Sequence, residues 1–65
     1  MLKINIIGLG YVGLTLGVAL ARKGISVAGL EINELILSTI KKGEAHFFEP
    51  GLNVFLKKVL AEGTF

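Results

Sequence analysis

The chain has 65 residues, no cysteine, and seven Lys or Arg against five Asp or Glu. This excludes a disulfide framework and a thiolate metal site, and leaves too few βα units for a complete doubly wound domain. An apolar share of 52% is more than so short a chain can bury, so later strands or another subunit are expected to cover the remaining faces. Residues 1–65 therefore read as a partial domain, the N-terminal piece of a longer protein.

The net charge is +2, and all the basic residues but Lys3 fall in the pairs Arg22-Lys23, Lys41-Lys42 and Lys57-Lys58. Each pair falls near the end of a predicted helix and is followed by a glycine, where cations oppose the negative end of the helix dipole. No nucleic-acid partner is expected. The uncharged run from Ile4 to Ala21 has the length of a membrane span, and Ala19-Leu20-Ala21 looks like a signal-peptidase site. Gly8, Gly10, Gly13, Gly17 and Asn5 interrupt that run, so neither a membrane segment nor a leader is expected, and a cytoplasmic location fits.

Lys3 to Ile7 carries isoleucine at 4, 6 and 7 and is apolar on both faces apart from Asn5, which predicts a strand buried in a parallel sheet. The run stops on Gly8 and passes through Gly10 and Gly13 into a helical pattern, as a dinucleotide-binding turn does. Gly8 allows a sharp exit from the strand, Gly10 lets phosphates approach bare backbone, and Gly13 lets the new helix lie close on the sheet. Gly17 extends that small-residue face by one turn. The helix is predicted over Val12 to Lys23, with Val12, Leu16, Ala19 and Leu20 as its apolar spacing and Gly24 as its cap.

Ser26 to Leu30 is short and apolar, a second parallel strand reached by a right-handed crossover. Glu31 stands at its carboxyl end, eighteen residues after Gly13, close to the usual offset of about twenty. A carboxylate there accepts hydrogen bonds from the adenosine ribose and repels a 2′-phosphate, which favours NAD over NADP. Asn33 is a good N-cap for a helix from Glu34 to Lys42, with Ile32, Leu35, Ile36 and Ile40 as its apolar face. Glu44 to Phe48 reads as a loop, and His46 in it as an exposed residue, since no second ligand sits at metal-binding spacing. Pro50 suits the first position of a third helix, with Glu49 before it facing the helix's positive end. Leu52, Phe55, Leu56, Val59 and Leu60 form its apolar face, opposite Asn53, Lys57 and Lys58. Thr64-Phe65 reads as the start of a further strand. The whole predicts an α/β fold, the βαβ-plus-helix portion of a Rossmann, doubly wound parallel-sheet domain.

Ile7-Gly8-Leu9-Gly10-Tyr11-Val12-Gly13-Leu14, then Glu31-Ile32-Asn33, Gly43-Glu44 and Glu49-Pro50-Gly51-Leu52, resemble in order and spacing the N-terminus of the nucleotide-sugar (UDP-sugar) 6-dehydrogenases. The similarity covers nearly the whole chain. It implies a four-electron oxidation of a UDP-sugar, UDP-glucose among them, to the uronic acid with two NAD⁺ and a thiol-bound intermediate, in a homo-oligomer. It further implies that Gly8, Leu9, Gly10, Tyr11, Val12 and Gly13 hold the pyrophosphate, largely through the N–H groups of Tyr11 and Val12, and that Glu31 holds the ribose. The family's catalytic cysteine, lysine, asparagine and aspartate lie far downstream, so no catalytic residue is expected among these 65. Three positions depart from the family pattern: Glu31 where Asp is usual, Thr15 where Pro is common, and Ile36 where a basic residue contacts the adenosine end. Hydroxyacid or phosphogluconate dehydrogenases share the turn without Glu-Pro-Gly-Leu, and a non-catalytic nucleotide-sensing module shares its physics without the chemistry.

Overall fold

The structure, a computed structural model, describes residues 2–65. The β-branched run Lys3–Ile7 forms strand β1, and Gly8, at φ +89°, turns the chain out of it. Helix α1 follows over Tyr11–Arg22, strand β2 over Ser26–Leu30, helix α2 over Glu34–Lys41 and helix α3 over Leu52–Glu62. β1 and β2 pair in parallel, Ile4 opposite Val27 and Ile7 opposite Leu30. A helix between two parallel neighbours is the βαβ unit, and the expected α/β class and element order are present.

The uncharged run from Ile4 to Ala21 is thus divided among a strand, a turn and a helix. Among the described residues, no helix is long and apolar enough to cross a membrane.

Helix ends differ from expectation by about a residue where capping decides them. Gly10, with extended backbone, is the N-cap of α1, so the helix begins at Tyr11, and Lys23 is its C-cap. Lys42 caps α2, which closes at Lys41. Pro50 does not begin α3. Gly51 takes a left-handed conformation at φ +80°, so Pro50 and Gly51 form a tight turn, closed by the Leu52 N–H donating to the Glu49 carbonyl at 3.0 Å. The Lys57-Lys58 pair is also not at a helix end, since the last turn of α3 carries no basic residue. The stem of Lys57 instead covers Gly43, where an added Cβ would stand 3.2 Å from its Cε.

The core corrects two predicted faces. Leu14, Gly17, Val18 and Ala21 are the buried residues of α1, while Val12, Leu16 and Ala19 are exposed and Leu20 is half-buried. The helix is apolar nearly all round, so spacing alone selects no stripe. Close approach selects it. A Cβ on Gly17 would stand 2.6 Å from the Phe65 ring and 3.3 Å from Ile6, and one on Gly13 would collide with the Gly8 carbonyl oxygen. In α2 only Ile40 is buried, with Ile36 packed beside it. Ile32 and Leu35 are exposed, because this short helix reaches the core through its last turn.

Leu9, Leu14, Val18, Ala21, Val27, Ile40, Leu52, Leu56 and Val59 form one core, with Ile6 and Phe65 packed against it. Arg22 adds a cation–π contact between α1 and α3, its guanidinium 3.4 Å from the Phe55 ring centroid. β1 was expected to be buried on both faces and is not. Ile4 and Ile6 are half-buried, whereas Lys3, Asn5 and Ile7 are exposed, because the core lies on one side of the sheet. Ile7 is 84% exposed beside its register partner Leu30. Among the described residues there is no third strand, but the Val27 N–H donates to the Thr64 carbonyl at 2.8 Å along the outer edge of β2.

The two faces of α1 should differ in a mutant pair. Leu14→Ala, at a fully buried site, is expected to cost ~2–5 kcal/mol in urea unfolding, while Leu16→Ala, half exposed, costs less than ~1.5 kcal/mol. Equal losses would restore the stripe expected from spacing.

Candidate functional site

An inventory of backbone donors at the start of α1 defines the site. The Gly8 N–H extends the sheet ladder to the Leu30 carbonyl at 2.8 Å, and the Leu14 N–H makes the first helical bond, to the Gly10 carbonyl at 2.9 Å. The Leu9 N–H donates to Glu31 Oε1 at 2.8 Å. Between them, the N–H groups of Gly10, Tyr11, Val12 and Gly13 meet no acceptor among the described residues. No side chain caps α1, and its first turn holds no acid. The positive end of the helix is bare, and Gly10, Tyr11 and Val12 are exposed. Such a cluster of donors fits a diphosphate.

The glycines divide the work. Gly8 supplies a backbone angle, φ +89°, that other residues rarely adopt. Gly13 supplies the closeness of helix and strand, since its hydrogen faces the Gly8 carbonyl. Gly10 answers to neither need. Its backbone is extended and an added Cβ would meet nothing within 4 Å, so any demand for glycine there comes from outside the chain.

Leu9 enters the site differently from the other residues of the turn. Its side chain is buried against Gly29 and its N–H is already taken by Glu31, so it ties the turn to the carboxylate. The second oxygen of Glu31 accepts from the Asn33 N–H at 2.9 Å. Asn33 in turn caps α2, its Oδ1 accepting from Leu35 at 3.0 Å and Ile36 at 3.1 Å. The Leu9 N–H, then the Asn33 N–H, hold the Glu31 carboxyl below its ordinary value, and attraction to His46 adds to this against the opposing effect of partial burial. Each oxygen keeps a lone pair, which suits it to accept from vicinal hydroxyls of a ribose.

His46 is exposed, as expected, and no group of metal-ligating side chains forms among the described residues. Ile36, where related enzymes were expected to carry a cation, is half-buried against the core.

The loop between α2 and α3 brings residues to the turn that sequence reasoning missed. Glu49 Oε1 accepts the Tyr11 hydroxyl at 2.9 Å. The Tyr11 ring packs on Phe47 with centroids 5.1 Å apart, and Phe47 meets His46 edge-on at 4.9 Å. Glu49 holds the Tyr11 hydroxyl above its ordinary 10.0, so the phenol remains a donor at neutral pH. Thirty-eight residues separate the pair, and no periodicity carries such a signal. Asn53, on α3, fixes the loop by accepting from the Ala45 N–H at 2.8 Å.

Residues 2–65 match the UDP-glucose/GDP-mannose dehydrogenase family, NAD binding domain. The chain is 41% identical over 61 residues to UDP-N-acetyl-D-mannosamine dehydrogenase of Campylobacter jejuni, a match covering 94% of the chain and 15% of that relative. A UDP-glucose dehydrogenase structure from Pyrobaculum islandicum superposes with a TM-score of 0.92 at 36% identity, covering 98% of this chain and 15% of that one. A GDP-mannose dehydrogenase structure from Pseudomonas aeruginosa gives 0.89 at 33%, covering 94% and 14%. The chain spans about 15% of the length of these relatives. It belongs to the UDP-glucose/GDP-mannose dehydrogenase family, as part of its NAD-binding domain of Rossmann type. That membership sets aside the hydroxyacid and phosphogluconate dehydrogenases.

The tie between Glu31 and Leu9 should show in acid. Glu31 has a folded pKa below its ordinary 4.5, so its contribution to stability is complete above pH 4.5 and is lost as the pH falls through the lowered folded value. Urea unfolding followed from neutral pH to about pH 3 should show stability declining at the acid end, and Glu31→Gln should flatten that decline. An unchanged acid slope in the variant would place the effect elsewhere.

Proposed function

From this family membership we propose that the chain is the NAD-binding N-terminal segment of a longer nucleotide-sugar dehydrogenase, one that oxidises a UDP-sugar to the UDP-uronic acid with two NAD in succession. The observation that carries the reading is the set of unpartnered N–H groups at Gly10, Tyr11, Val12 and Gly13, beside a carboxylate bonded to the same turn. When bound, NAD supplies the hydride acceptor.

The chain's own residues bind and orient. The amides of Tyr11 and Val12, at the positive end of α1, neutralise the pyrophosphate, and Gly10 leaves the approach free of a side chain. Gly8 and Gly13 set the shape of the turn, and Leu9 links it to Glu31. Glu31 accepts the adenosine ribose hydroxyls, and its ionised charge repels a 2′-phosphate. The proton abstraction and the covalent chemistry belong to residues beyond these 65.

The Campylobacter relative is named for UDP-N-acetyl-D-mannosamine. That sugar nucleotide is the first to test, with UDP-glucose second. The reading includes a cytoplasmic homo-oligomer, on the strength of the family resemblance.

In the full-length protein, Gly10→Val is expected to raise the Kd for NAD at least about tenfold, ~1.4 kcal/mol, with the fold retained, and Glu31→Ala should narrow the preference for NAD over NADP. The isolated chain is expected to oxidise nothing and to bind NAD weakly or not at all. Submicromolar NAD binding by the isolated chain would overturn the expectation of weak binding, unchanged affinity in Gly10→Val would overturn the role given to the turn, and a full-length protein that binds NAD without reducing it on any UDP-sugar would mark a sensing module.

A further inference from the structure

Gly8, Gly10 and Gly13 put three glycines, whose backbone is the least restricted by sterics, in the short stretch that carries the free amides. Two ties secure its ends. Gly8 is bonded to Leu30 and lies under Gly13, and Leu9 is held by its buried side chain and by Glu31. Residues 10 to 12 lie between Leu9 and the Gly13 contact and carry the free amides of the turn. Gly10 has no side chain, and Val12 is 73% exposed. Among the described residues, only Tyr11 anchors this stretch to a distant part of the chain.

We infer that Glu49 is a positioning residue for the phosphate-binding turn, acting through the Tyr11 hydroxyl. The inference rests on the assignment of that turn to NAD and extends it to a loop before α3. The anchor is firm on its far side. Pro50 fixes the chain after Glu49, the turn closes through the bond from the Leu52 N–H to the Glu49 carbonyl, and Leu52 is buried in the core. Phe47 packs against the Tyr11 ring with the two planes tilted by 55°, which limits the directions open to the phenol that donates to Glu49. The carboxylate thereby fixes the first residue of α1 from outside the helix.

Charge and position pull in opposite directions here, which makes the inference testable. A carboxylate acting through its charge would disfavour a bound diphosphate; one acting as an acceptor for Tyr11 would favour it by holding the amides in place. Glu49→Gln removes the charge and keeps an acceptor oxygen. Glu49→Ala removes both, and Tyr11→Phe keeps the ring but removes the donor.

The experiment measures the Kd for NAD by calorimetry and KM(NAD) and kcat in the full-length dehydrogenase. Tyr11→Phe and Glu49→Ala should each weaken NAD binding about three- to tenfold, with KM(NAD) changing more than kcat, and the double variant should be no worse than the weaker single. Glu49→Gln should restore most of the lost affinity. Unchanged affinity in Tyr11→Phe, additive losses in the double variant, or tighter NAD binding by Glu49→Gln would each overturn the inference. Should Glu49→Ala fail to fold, Tyr11→Phe and Glu49→Gln decide it alone. An unaltered protein that binds no NAD would overturn the cofactor assignment itself, a result distinct from one in which it binds and the variants match it.

Discussion

The Gly8 carbonyl oxygen occupies the place where a side chain on residue 13 would stand, and that contact fixes how closely α1 lies on β1. Much else is a consequence of it. A helix set so near its strand must be reached by a turn of very few residues, so the first amides of the helix emerge with no neighbour to accept from them. The same closeness drives Leu9 into the core, and with its side chain inward its N–H faces the end of β2, where Glu31 stands. Packing thus arranges the electrostatics: one steric constraint yields a bare positive helix end and a carboxylate bonded to the same turn.

The carboxylates around this turn do different work. Glu31 is bonded to two backbone N–H groups and keeps its charge at the edge where a ribose would lie. Glu49 is bonded to a phenol, which sets the direction of a side chain. A helix whose own first turn lacks an acid is therefore flanked by acids supplied from elsewhere, and neither takes the amides that a diphosphate needs.

The order of elements, the parallel pairing and the structural roles of Gly8 and Gly13 were legible in the sequence, because turn chemistry and strand composition are local properties. What was not legible was non-local. The buried stripe of α1 could not be read from spacing, since Val12 and Leu16 are as apolar as Leu14 and Val18; the choice between them rests on which face carries Gly17. The start of α3 was misplaced because Pro50 suits a first helical turn as well as a tight turn, and the left-handed Gly51 decides for the latter. Tyr11 and Glu49 find each other across a separation that no repeat encodes. The family resemblance marked both segments as notable but not as partners.

The bond from Val27 to Thr64 occupies one donor on the outer margin of β2. It places Phe65 alongside β2 with its ring beneath Gly17 and Gly29, so a bond and a ring together cover part of that margin. A shift of one residue along that margin would turn the Phe65 ring away from Gly17 and Gly29, and the ring stands against it as a doorstop. The sheet is templated on its outer margin by a single aromatic ring and one hydrogen bond.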